Sequence, residues 1–234
     1  MSDNILSPLH RYLLRVNGML TALQISGQNL VSLWPDFDPA LLSEFEVAAE
    51  KGDAYAATVC SAIFRGSSNH QNYPLALRYA KIAADSDFPP GLAELSYCYE
   101  YGYATVIDLR LALDLAVRAS WGGYGIAACN LALQYATAVP FGFDGGKAVE
   151  YATLAYKSGE AYGAYLLGLW YEEGLIIGRS LLLARIWYKK AAVEGSGLAC
   201  IRLIAAYTRG ELGLPKDEKM ASKFVGLSQS INTA

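Results

Sequence analysis

The chain has 234 residues, 53% hydrophobic and 18% charged, a balance that excludes a disordered polymer and supplies apolar surface for a large core. Arg, Glu, Lys or Gly interrupts every apolar stretch before about 18 residues are reached, so no membrane-spanning helix is expected. The formal net charge of −3, without a clustered Lys/Arg stripe, argues against nucleic acid as a partner.

From the N-terminus, Met1-Ser2-Asp3-Asn4 lacks a basic leader, and His10, Arg11 and Arg15 break the apolar segment that follows. Neither a secretory signal nor a lipoprotein anchor is visible, and a cytoplasmic location is expected. Ser7-Pro8 sets a capping residue before a proline and predicts a helix start. Leu9, Leu13, Val16, Leu20 and Leu23 continue it as one apolar stripe, and Gly27 is its stop. Asp38-Pro39 repeats the start signal for a helix through Lys51, ended by Gly52. Residues 1–51 therefore read as an N-terminal helical cap.

Beyond it the chain repeats. Tyr99, Tyr135, Tyr171 and Tyr207 stand 36 residues apart, as do Ala76, Ala112, Ala148 and Ala184. Ala83, Ala119, Ala155 and Ala191 form a third column, and Gly66, Gly102, Gly174 and Gly210 a fourth, in which Ala138 replaces glycine. This period suits two helices and two turns, each unit burying its apolar face against the next. Residues 52–234 are expected to form one continuous array, with units at about 52–86, 87–122, 123–158, 159–194 and 195–230. The first helix of each unit ends at the glycine column, where a left-handed residue costs glycine least. The second carries the alanines, which let helices approach closely while Tyr79, Leu115, Tyr151 and Trp187 fill the layers.

Cys60, Cys98, Cys129 and Cys200 all fall in first helices. Cys60 and Cys98 are two residues out of phase, which turns them about 200° apart around their helices. Cys129 and Cys200 are two repeats apart, roughly 20 Å, beyond bridging range. Four reduced, buried cysteines are expected.

The fourth unit carries the fullest signature, Ala164-Tyr165-Leu166-Leu167-Gly168-Leu169-Trp170-Tyr171-Glu172-Glu173-Gly174, then Ala184-Arg185-Ile186-Trp187-Tyr188-Lys189-Lys190-Ala191-Ala192. It resembles the Sel-one-like repeat, a relative of the tetratricopeptide repeat, over roughly residues 46–230. The fifth unit is similar in its loop, Gly210, Gly213 and Pro215-Lys216-Asp217; units two and three have Ser96 and Ala132 in place of the glycine after leucine. The resemblance implies an all-α, right-handed superhelical solenoid of about five helix pairs that acts as a protein-binding adaptor. Relatives of this kind serve as signalling or envelope scaffolds, as host-directed interaction proteins and as immunity proteins that neutralise a toxin.

Residues suited to chemistry are sparse. His10 and His70, the two histidines, lie in different units, and no His/Cys cluster has ligand spacing, so neither catalysis, a metal nor a cofactor is expected. Glu172 and Glu173, with Glu100 two repeats earlier, offer carboxylates for acid–base work, but solvated helix ends account for them more simply. Gly122-Gly123 and Gly145-Gly146 lack the strand-to-helix context of a phosphate loop and read as turns.

Seventeen tyrosines exceed what the repeat columns require, and the surplus gathers in first helices. First helices line the concave side of such a solenoid. With Leu167, Gly168, Tyr171 and its counterpart Tyr99 packed inward, helical phase points Tyr162, Tyr165, Leu169, Glu172 and Glu173 outward. The equivalents elsewhere are Arg65, Glu94, Tyr97, Glu100, Tyr101, Asn130, Leu133, Arg202 and Arg209. Tyrosine and arginine are enriched in binding hot spots, so this stripe is the expected protein-binding face. A non-catalytic scaffold is the leading expectation and a toxin-neutralising immunity protein its narrower form. An enzyme or regulatory subunit using the groove carboxylates is the rival.

Overall fold

The computed structural model describes residues 39–66 and 71–233, and within them every regular element is a helix. The helix expected from Pro8, with His10, lies outside the described residues, as does His70. Helix α1 (Pro39–Glu50) precedes five pairs: α2 (Ala54–Gly66) with α3 (Tyr73–Ala84), α4 (Pro89–Tyr101) with α5 (Leu109–Trp121), α6 (Gly125–Thr137) with α7 (Gly145–Lys157), α8 (Ala161–Glu173) with α9 (Leu181–Val193), and α10 (Gly197–Arg209) with α11 (Glu218–Thr233). Each helix packs chiefly on its neighbours in sequence, which makes the fold an all-α solenoid.

The helix ends explain the period. Second helices start at a short polar residue whose side chain accepts a backbone N–H: Asn72 from Leu75, Asp108 from Leu111, Asp144 from Lys147, Ser180 from Leu183 and Asp217 from Met220. These caps satisfy N–H groups that have no partner within the helix. The first helices of the second, fourth and fifth units end in a left-handed glycine, at φ 71° for Gly102, 75° for Gly174 and 77° for Gly210. Ala138 adopts the same conformation at φ 65° although it carries a Cβ.

Both alanine columns are fully buried. Their small size lets the next unit's first helix cross closely: a Cβ on Gly163 would stand 2.8 Å from Cβ of Ala155, and one on Gly91 2.6 Å from Cβ of Ala83. Tyr79, Leu115 and Tyr151 are buried in the layers, whereas Trp187 is half-buried.

The tyrosine column divides, which corrects the expectation that Tyr99 and Tyr171 fill the core. Tyr135 and Tyr207 are buried, stacked on Tyr151 at 5.8 Å and on Phe224 at 5.9 Å between ring centres. Tyr99 and Tyr171 are half-buried. The residue at the Tyr151 position of the second unit is Leu115, which has no ring to stack on Tyr99; in the fourth it is Trp187, whose ring meets Tyr156 edge-on at 5.6 Å.

All four cysteines are free and buried. Burial pushes the thiols of Cys60 and Cys98 up to about 12, so both are held as inert thiols. Among the described residues no helix is long and apolar enough to cross a membrane.

Candidate partner-binding face

The outward residues of the first helices meet across unit boundaries, and most of their polar groups bond to one another. At the first boundary, Arg65 on α2 grips Glu94 on α4 with Nε to Oε2 at 3.0 Å and Nη2 to Oε1 at 3.1 Å. Ser61 adds a hydroxyl donor to Glu94 Oε2 at 3.4 Å. The Arg65 guanidinium also lies 4.9 Å from the ring centre of Tyr97. Glu94, expected to face a partner, is instead covered by Arg65 and Ser61 and is 8% exposed. Burial opposes the Arg65 charge, but the adjacent Glu94 carboxylate outweighs it and holds the guanidinium above its ordinary range.

At the next boundary Asn130 on α6 donates to the Tyr97 hydroxyl, and Gln134 donates through Nε2 to Oε1 of Glu100 at 2.8 Å. Burial raises the Glu100 carboxyl above the usual carboxylate range, against the hydrogen bonds from Gln134 and Tyr101. Tyr97, Tyr101, Asn130, Leu133 and Gln134 line an open cleft of about 180 Å³ between α4 and α6. Small-molecule sites are commonly about 300–1,000 Å³, so this one suits a single side chain.

At the last boundary Glu172 on α8 receives Arg202 on α10, whose Nε lies 3.0 and 3.2 Å from its two oxygens and whose Nη2 also contacts it. Arg202 continues through Nη1 to Glu211 at 2.6 Å. From the core side the Tyr188 hydroxyl donates to Glu172 Oε2 at 2.8 Å. Burial works against the Glu172 charge, but the bonds from Arg202 and Tyr188 prevail and hold its carboxyl below the usual range.

Seven of the fourteen expected contact residues, Arg65, Glu94, Tyr97, Glu100, Asn130, Glu172 and Arg202, are thus joined in inter-unit bonds. The rest sit along the same helices: Tyr101, Glu173 and Arg209 are exposed, while Leu133, Tyr162, Tyr165 and Leu169 are half-buried and pack partly on the core. Tyr101 is 56% exposed. Tyr162 and Tyr165 stack at 5.7 Å between ring centres, with Leu169 and Leu133 half-buried nearby in phase. Glu173 and Arg209 are exposed, and Arg209 has a long 3.7 Å pairing with Glu211. Sequence reasoning missed Gln134 and Tyr188. Gln134 lies one helical turn beyond Asn130 and could have been found by phase. Tyr188 belongs to a second helix and reaches the face from behind.

Among the described residues no group of three or more His, Cys, Asp or Glu side chains is placed to hold a metal ion.

Comparison with known proteins places these features. The chain is similar to solved structures that share its fold. A Sel1 repeat protein from Oxalobacter formigenes matches with TM-score 0.69 and 21% identity over 91% of this chain and 86% of that one. A protective antigen present in uropathogenic Escherichia coli, described as having an SLR fold, matches with TM-score 0.64 and 26% identity over 81% of this chain. This chain spans only 40% of that antigen's length. The immunity protein Pa5087 from Pseudomonas aeruginosa matches with TM-score 0.61 and 19% identity over 92% of this chain and 82% of its own. No curated protein matches. The family model of the Sel1 repeat matches residues 64–88, 89–120, 125–160 and 161–196, a narrower span than the resemblance suggested, because the pair α10 and α11 falls outside it. With more than half of its residues matched, the chain belongs to the Sel1 repeat family.

Proposed function

We propose that this protein is a non-catalytic scaffold that binds a protein partner along the face built by its first helices, the concave side of the solenoid. The observation that carries this reading is the division of labour on that face. Inter-unit ion pairs and hydrogen bonds fix the backbone register, while Tyr101, Leu133, Tyr162, Tyr165 and Leu169 offer aromatic and aliphatic surface on that fixed support. Rigid aromatic anchors lose little conformational freedom on binding, so such a surface spends little of its contact energy on ordering. Residues 1–51 act in this reading as the cap of one end, and the protein works in the cytoplasm.

The immunity reading is the narrower form. It is supported by fold likeness to two Pseudomonas aeruginosa immunity proteins, Pa5087 and PA5088. An enzyme would need a shifted carboxylate in a deep pocket; Glu172 is engaged by the two nitrogens of Arg202 and the Tyr188 hydroxyl, Glu173 is exposed, and Glu100, though raised by burial, lines a pocket of only about 20 Å³.

The test is affinity capture from native lysate with the intact chain and with the Tyr101→Ala/Tyr165→Ala variant. A stoichiometric protein retained by the first and lost by the second supports the face. A partner held equally by both moves the binding site elsewhere.

A further inference from the structure

Behind the cleft between the second and third units lies a small pocket, open because two residues that fill the same place at the last boundary are missing there. Glu100 and Glu172 occupy one repeat position, 72 residues apart. At the same interval Asn130 stands where Arg202 stands, and Ala116 where Tyr188 stands. In the fourth unit Arg202 and Tyr188 close around Glu172. In the second, the side chains that would do so are too short, and Ala116, Asn130 and Glu100 line a small pocket of about 20 Å³ that shares walls with the outer cleft. Glu100 is left with the neutral donors Gln134 and Tyr101, although a carboxylate accepts about four hydrogen bonds. The nearby cation, Arg65, is committed to Glu94.

Resting on the scaffold reading, we infer that this cleft seats a cationic side chain of the protein partner, an arginine or lysine, with the Tyr97 and Tyr101 rings as walls and its charged head directed at Glu100 in the small pocket behind. The partner's cation takes the place that Arg202 holds within the chain one boundary further on. Charge, shape and stacking agree: an anion with no cation bonded to it among the described residues, an adjoining volume that fits one long side chain, and walls from Tyr97, which already attracts the Arg65 guanidinium, and from Tyr101, which stacks on Tyr103. The partner is therefore expected to present a basic residue on the segment that crosses α4 and α6.

The test uses the full chain and N-acetyl-arginine amide as probe, with N-acetyl-lysine amide as the second cation and N-acetyl-citrulline amide as the neutral isostere. Backbone amide shifts are followed by nuclear magnetic resonance. Saturable shifts confined to residues 97–101 and 130–134 are expected with either cation, and citrulline should bind at least about ten-fold more weakly, the equivalent of about 1.4 kcal/mol. Glu100→Gln keeps the acceptor for Gln134 but removes the charge, and should lose the response. Asn130→Arg restores the array's own cation and should block the cleft from within while the fold persists. Equal binding of citrulline, an undiminished response in either variant, or no saturable shift at these residues overturns the inference. Affinity capture separates this from the scaffold reading. A partner that wild type and Asn130→Arg capture equally overturns the cleft and leaves the scaffold. A chain that binds the probe yet captures no protein supports the cleft and counts against the scaffold.

Discussion

Gly168 and Tyr188 are complementary in volume: a Cβ on Gly168 would lie 2.7 Å from Cδ1 of the Tyr188 ring, which is fully buried. In units one to three the corresponding pairs are Cys60 with Ala80, Ser96 with Ala116 and Ala132 with Ala152, so where the second helix carries alanine the first helix can carry a larger residue. The glycine after leucine is therefore present where a tyrosine needs the space. Gly168→Ala should destabilise the fold by about 1–3 kcal/mol through overpacking. Gly168→Ala/Tyr188→Ala, which rebuilds the pair of the third unit, should lose less than the sum of the two single changes. Denaturant unfolding of the four proteins measures that coupling; strict additivity would contradict it.

Ala138→Gly is expected to stabilise. The left-handed conformation costs a residue with a Cβ about 1–2 kcal/mol, against about 0.5–1 kcal/mol of extra chain entropy that glycine loses on folding. The net gain is between zero and about 1.5 kcal/mol, visible as a rise in Tm of roughly 2–4 °C for each 1 kcal/mol in a chain of this size. A lower Tm would mean that the methyl group contributes packing that outweighs its strain.

Leucine at Ala148 or Ala155 should each destabilise the array by about 1–3 kcal/mol, since both sites are closed and Gly163 already approaches Ala155 as near as backbone allows. Thermal unfolding decides, and unchanged midpoints would place these alanines in contact with solvent.

Two carboxylates should give opposite pH signatures. The folded carboxyl of Glu172 is lowered, so its contribution is present above the unfolded pKa and is lost as pH falls through the folded value, below the ordinary range. Glu172→Gln should flatten the acid limb of the stability curve. The folded carboxyl of Glu100 is raised, so its effect runs the other way, and the charged form destabilises as pH rises past the unfolded value. Glu100→Gln should gain relative to wild type between acid and neutral pH. Urea unfolding from pH 3 to pH 7 resolves both, and parallel curves for either variant would refute its assignment.

The core was legible because close packing permits little variation: the alanine columns mark where helices touch, and the 36-residue period gives their phase. The second-helix caps are legible too, since Asn72, Asp108, Asp144 and Ser180 keep the same interval. The pairings on the face were not. Helical phase tells which way a side chain leaves its helix, but not how far it reaches. Arg65 finds Glu94 29 residues away and Glu172 finds Arg202 at 30, because long side chains lean back across the boundary rather than meeting their repeat equivalents. Burial of Glu94 and half-burial of Tyr99 and Tyr171 follow from neighbours' sizes, which a single column does not encode.

The most direct measurement is the affinity of the purified captured partner for the wild-type chain and two double variants, by isothermal titration calorimetry. Tyr101→Ala/Tyr165→Ala removes ring surface from the first-helix face, and Leu182→Ala/Val193→Ala removes exposed apolar surface from the second helix α9. The account predicts a loss of at least about 2 kcal/mol, roughly 30-fold in Kd, for the first and no change for the second. Full affinity in the tyrosine variant together with loss in the α9 variant would contradict it and assign binding to the opposite face.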